Sequence, residues 1–86
     1  MRFACSAGQY AIVCILLQAG ANVVRQDKIG WTPLHAACKT GHKHIVEKLL
    51  QSNADVHMRS FDGLTPLFCA CSENHTAIAK VIFVNI

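Results

Sequence analysis

Eighty-six residues allow one small domain at most, and a chain of this size buries only about 60% of the surface that its unfolded form exposes. Just over half of the residues are apolar and 15% are charged, a balance that excludes intrinsic disorder and predicts a packed core. The net charge of +3 comes from Lys and Arg residues scattered along the whole chain, so no basic block marks a nucleic-acid-binding surface.

Residues 1–29 begin with Met1-Arg2, run through an apolar stretch at 11–17 and reach Ala19-Gly20-Ala21, an order that mimics a secretory signal with cleavage after Ala21. The stretch is far short of the roughly 20 apolar residues that cross a bilayer, and Gln18, Gly20 and Asn22 end it, so no transmembrane helix is expected. Against the signal reading stands a self-similarity. Shifted by thirty-three positions, Ala4, Cys5, Gly8, Ile12, Val13, Leu16, Leu17, Gln18, Ala21 and Val23 recur as Ala37, Cys38, Gly41, Ile45, Val46, Leu49, Leu50, Gln51, Ala54 and Val56. A fixed period of this length predicts one supersecondary unit stacked on its neighbours, each burying a face that a lone unit leaves open.

Residues 30–62 hold the complete unit. Thr32 is placed to cap a helix whose first residue, Pro33, has its φ already set and lacks the N–H that would go unpaired there. That helix is expected to pass through Leu34, Ala37 and Cys38, small enough on one side for a neighbouring helix, and to stop near Gly41. A second helix is expected over 43–52, with Ile45, Val46, Leu49 and Leu50 on one stripe and Lys43, Glu47, Lys48 and Gln51 off it. Asn53 suits a left-handed C-terminal position, and 54–63, which lacks helical periodicity and carries turn residues, reads as an extended hairpin.

Residues 63–86 restart the unit. Gly63, Thr65, Pro66 and Leu67 repeat Gly30, Thr32, Pro33 and Leu34, and the copy runs to Ile86. Here the resemblance to a known family is specific: "TPLHAA" at 32–37, "GHKHIVEKLL" at 41–50 and "NADV" at 53–56 resemble the ankyrin repeat, over nearly the whole chain. The resemblance implies an all-α solenoid of helix–turn–helix pairs linked by β-hairpin loops, with a partial repeat at 1–29, a complete one at 30–62 and a truncated one at 63–86. Neither end carries the polar capping repeat that solenoids need for solubility. The sequence therefore reads as a fragment or short isoform of a longer array, with Ile78, Ile82, Phe83 and Val84 left open at its C-terminal end and self-association through uncapped ends as a consequence.

The chemistry-bearing residues fall into the repeat columns. Cys5, Cys38 and Cys71 share one column, where the family usually has alanine, and are expected to be small buried hydrophobes; Cys14 and Cys69 lie outside it. The string Cys69, Cys71, His75 does not have zinc-site spacing, since cysteines one residue apart on a helix point to different faces. Unpaired thiols favour a reducing compartment and hence an intracellular protein, cytoplasmic or nuclear. By resemblance His35 ties neighbouring turns together, His42 and His75 share a column at the helix junction, and His44 and His57 are expected to be exposed. No nucleophile or orienting acid is placed near any of them, nor is there a phosphate-binding glycine loop, so no enzymatic role and no cofactor are expected.

The function implied is recognition of another protein, without a small-molecule substrate or membrane. Family contacts on the concave side map to Lys28, Ile29 and Trp31 at one tip, with Lys39 and Thr40 on the adjoining helix. The next copy contributes Phe61, Asp62, Leu64, Ser72 and Glu73. Trp31 is either an interface anchor or a residue packed against Leu64. Two alternatives stay open: a structural segment that only extends an array, and a weaker reading as a basic nucleic-acid binder.

Overall fold

The structure is a computed structural model that describes the backbone from residue 2 to residue 86 and the side chains from Ala4 onward. Six helices follow one another: α1 (Arg2–Ser6), α2 (Tyr10–Gln18), α3 (Pro33–Thr40), α4 (Lys43–Gln51), α5 (Pro66–Ser72) and α6 (Thr76–Val84). They form three antiparallel pairs, stacked so that α3 lies between α1 and α5 while α4 lies between α2 and α6.

The helix starts and stops follow from local chemistry. Thr32 is extended (φ −94°, ψ 167°), its hydroxyl oxygen accepts from the His35 N–H at 3.3 Å, and Pro33 opens α3 as expected. Gly41 ends α3 with φ 85°, a left-handed turn in which its N–H reaches the Ala37 carbonyl. Asn53 likewise takes a positive φ of 69° after α4. Thr65 repeats the cap for α5 by accepting from the Phe68 N–H at 3.3 Å.

The core lies between the helix layers. Leu34, Ala36, Ala37 and Cys38 of α3 and Ile45, Val46 and Leu49 of α4 are all buried, because the central pair has a neighbour on each side. The first helices sit closer together than the second helices. Their contact faces carry Ala4, Cys5, Ala36, Ala37, Cys38 and Ala70, whose small side chains let the axes approach. The stack therefore curves toward the first helices.

The helix columns have a direction. The column of Ile12, Ile45 and Ile78 faces the preceding repeat: Ile12 is 46% exposed, whereas Ile45 and Ile78 are buried. The column of Cys5, Cys38 and Cys71 faces the following repeat: the first two are fully buried and Cys71 is exposed. This corrects two expectations. Cys71 is not a buried member of its column, and Cys69, facing back toward α3, is buried in its place. Ile78 and Ile82 are not open, because they too face back, and only Phe83 and Val84 of that group are exposed.

The β-hairpin detail is present only as tight turns, with no strand among the described residues. Two backbone bonds close each turn: Asp27 N–H to the Trp31 carbonyl (2.9 Å) with Gly30 N–H to the Asp27 carbonyl (2.9 Å), and Ser60 N–H to the Leu64 carbonyl (2.8 Å) with Gly63 N–H to the Ser60 carbonyl (2.9 Å). The Phe61 N–H donates to the Ile29 carbonyl (3.1 Å) and joins consecutive tips.

Candidate partner-binding face

The tip before α3 is fixed by two side chains. The Asp27 carboxylate accepts from the Ile29 N–H (3.0 Å) and the Trp31 N–H (2.9 Å). The Gln26 amide donates to the Gly30 carbonyl (2.9 Å) and to the Arg59 carbonyl one repeat on (2.8 Å). Trp31 is thereby held half-buried beside the first turn of α3, its ring 5.8 Å from the His35 ring. The Lys39 ammonium lies 5.3 Å from the Trp31 ring centroid, a cation–π contact worth about 0.5–1 kcal/mol at an exposed site. Trp31 is therefore neither a bare anchor nor a buried strut: one side packs on the core and the rest faces outward.

Ile29, Trp31, Lys39 and Thr40 meet around one hollow of about 300 Å³, which Ser6 and Ala36 complete. Its chemistry is an apolar floor with a cationic and hydroxyl rim. The Thr40 hydroxyl donates to the Ala36 carbonyl at 2.7 Å, which leaves its oxygen free to accept. Lys28 is exposed at the tip. A second hollow on the other side of Trp31, about 390 Å³, is lined by Asn22, Arg25, Gln26 and Asp27 among others.

The remaining candidates do not join the hollow beside Trp31. Phe61 is 70% exposed at the next tip with Asp62 beside it, and Leu64 is half-buried. Ser72 donates its hydroxyl proton to the Cys69 carbonyl at 3.1 Å, and Glu73 caps the end of α5. These residues lie one repeat further along.

The ties beneath this face are histidines. His35 Nε2 donates to the Leu64 carbonyl at 2.8 Å, and its Nδ1 accepts from the Thr32 N–H (3.2 Å) and hydroxyl (2.8 Å). Burial holds its pKa below the usual histidine value, against the opposing pull of the Leu64 carbonyl and the Asp27 charge. His42 and His75 reach the Ser6 and Lys39 carbonyls at 3.1 Å and 3.0 Å, one repeat back in each case. The third copy carries Phe68 where His35 stands, so the same tie is missing there. His44 and His57 are exposed.

The buried thiols are poor nucleophiles. Burial pushes Cys5 up to about 11, and Cys38 and Cys69 are raised by burial as well. Among the described residues no group of three or more His, Cys, Asp or Glu could hold a metal ion. No helix among them is long and apolar enough to cross a membrane.

Sequence reasoning missed Ser6 and Gln26. Ser6 was legible, since it stands thirty-three positions before Lys39 and inherits that column's place on the concave side. Gln26 carries no such signal, because its role is to bridge two backbone carbonyls that only the stacked tips bring together.

A curved stack of helix pairs, tied by histidine-to-carbonyl bonds and presenting loop tips with first helices on its inner side, defines a repeat solenoid. The chain belongs to the ankyrin-repeat family, whose repeats match residues 1–86 in three copies. Members of this family are in general protein–protein interaction modules and typically not catalysts. No curated protein matches the chain.

Proposed function

We propose that this chain recognises a protein partner through the concave face, seating an apolar side chain of the partner in the hollow beside Trp31. The observation that carries the reading is the position of Trp31, ordered from below by His35 and covered by Lys39, next to a 50% exposed Ile29. An aromatic side chain already held in place loses little rotamer freedom on binding, and such residues dominate interface energetics. Lys28 and Lys39 on the rim favour a partner segment with acidic residues beside its apolar anchor. Phe61, Asp62, Leu64, Ser72 and Glu73 extend the contact one repeat further. The five unpaired cysteines suit a reducing compartment, the cytoplasm or nucleus.

A photo-crosslinking residue at position 29, used in cells, tests the reading. Discrete protein adducts are expected, lost with Trp31→Ala or Lys39→Glu and retained with Lys43→Glu on the second-helix side. Adducts insensitive to Trp31→Ala would sink the proposal. Adducts to nucleic acid that fade with salt would favour the basic-binder reading instead.

A further inference from the structure

The concave face carries charges of opposite sign in consecutive repeats. Lys28 and Lys39 belong to the second copy, Asp62 and Glu73 to the third, and all four are exposed. That exposure is a property of the repeat columns. Ile29 and Thr40, which share the columns of Asp62 and Glu73, are exposed with a repeat following them, and Phe61 and Ser72, which share those of Lys28 and Lys39, are exposed with a repeat before them. Among the described residues none of the four charges is held in an ion pair.

An apolar ridge lies between the two charge groups. The Phe61 N–H donates to the Ile29 carbonyl at 3.1 Å, so the tips run in the order Lys28, Ile29, Phe61, Asp62. The Phe61 ring lies over Gly30, where an added Cβ would come within 2.8 Å of its Cδ1 atom. Phe61 is therefore seated on the neighbouring tip, beside Ile29 and Trp31. On the helices the charges also flank one point: burial raises the pKa of Cys69 most, Lys39 pulls it down and Glu73 pushes it up, so both charges act on the same thiol. Packed helices stand about 8–10 Å apart, which is the step from the basic group on one repeat to the acidic group on the next.

On the concave-face reading above, on which this rests, we propose that the partner presents an extended segment with an acidic and a basic residue on either side of its apolar anchor. The acidic residue faces Lys28 and Lys39, the anchor meets Ile29, Trp31 and Phe61, and the basic residue faces Asp62 and Glu73. At roughly 3.3 Å per residue, an extended chain covers the step between the two charge groups in about three residues. A uniformly acidic segment sets its second carboxylate against Asp62 and Glu73, and a uniformly basic one sets an ammonium or guanidinium against Lys28 and Lys39. Like charges brought together across an interface are disfavoured, so the face rejects both and fixes which end of the segment lies on which repeat.

Selection from a library of random peptides displayed on phage, with the purified chain as bait under reducing conditions, tests it. The enriched peptides are expected to share an apolar residue flanked by one acidic and one basic residue. Fluorescence anisotropy then measures an enriched peptide against two variants whose folding circular dichroism establishes: Trp31→Ala, and Asp62→Lys combined with Glu73→Lys. Trp31→Ala is expected to abolish binding. The double charge reversal is expected to weaken it by about tenfold, and replacing the peptide's basic residue by glutamate is expected to restore it on that variant alone. Peptides that need Trp31 but bind the double variant unchanged overturn the polarity and leave the hollow beside Trp31 standing. Purely acidic peptides, the signature of a polyanion such as nucleic acid, overturn it as well, and so does a loss that no reversal of peptide charge restores. Peptides indifferent to Trp31→Ala, or a library that yields none, overturn the concave-face reading itself and the polarity with it.

Discussion

The imidazole of His35 is bonded at both nitrogens, to Thr32 within its own repeat and, at 2.8 Å, to the Leu64 carbonyl of the next. A carbonyl can only accept, so Nε2 carries the proton and Nδ1 is the acceptor for Thr32. This neutral tautomer satisfies the side chain in a fully buried position. Protonating Nδ1 would set one N–H against another at the Thr32 amide.

Stability should therefore fall on mild acidification. The folded pKa is depressed by burial below the unfolded value of about 6.5. Between the two values the unfolded chain binds the extra proton, so the contribution is fully present above pH 6.5 and is lost as pH drops toward the folded pKa. Denaturant melts from pH 7.5 to 5 are expected to show this loss, and His35→Gln is expected to flatten it. An unchanged slope in His35→Gln would mean that another group carries the effect.

Removing the tie altogether is more costly. His35→Phe, the residue that the third copy carries at Phe68, leaves the buried Thr32 N–H without its Nδ1 acceptor and takes from the Leu64 carbonyl one of its two donors, Ser60 N–H remaining, and should cost about 1–3 kcal/mol. Equilibrium unfolding in urea measures it.

The thiols should react in two classes. Cys14 is partly exposed and Cys71 is exposed, whereas Cys5, Cys38 and Cys69 are buried with raised pKa values. Labelling of the native chain should modify Cys14 and Cys71 within the mixing period of a mild reagent, and the other three only on unfolding. Rapid native labelling of Cys38 would contradict the packing of α3 between its neighbours.

The cysteines also show how far sequence reasoning reached. The period, Thr32, Pro33, Gly41 and Asn53 named the helix boundaries of the central repeat, because caps and left-handed turns are local chemistry. The column of Cys5, Cys38 and Cys71 was legible as a column. Its direction was not: whether a residue looks backward or forward along the stack depends on the packing angle between helix pairs, which periodicity does not encode. The same gap hid the burial of Ile78 and Ile82. On the concave face, Ile29, Trp31, Lys39 and Thr40 are brought together as neighbours, but the placement of Trp31 between His35 and Lys39 needed the three-dimensional turn that Asp27 and Gln26 build.

Core and cap losses in the central repeat should rank in a fixed order. Leu49 is fully buried, and Leu49→Ala should cost about 2–5 kcal/mol. Thr32→Ala removes the cap of α3 and a bond to His35, and should cost about 1–2 kcal/mol. Reversed losses in urea melts would mean that the α4 stripe is not the main support of the repeat.

Gly41 and Gly20 separate two costs that usually come together. Both have φ 85°, so an alanine at either meets the same left-handed backbone penalty, on the order of 1 kcal/mol. Around Gly20 nothing lies within 4 Å of the added Cβ, whereas at Gly41 it meets the His75 ring at 2.6 Å. Gly41→Ala should therefore destabilise more than Gly20→Ala, and the excess should come from pushing His75 off the Lys39 carbonyl. In a His75→Ala background that excess should vanish, since the ring and its 3.0 Å bond are already gone. Four urea melts close the cycle: His75→Ala alone, Gly41→Ala alone, the pair, and the unaltered chain. If the cost of Gly41→Ala is the same with and without the ring, the two residues are not coupled. The requirement for glycine would then rest on backbone conformation alone.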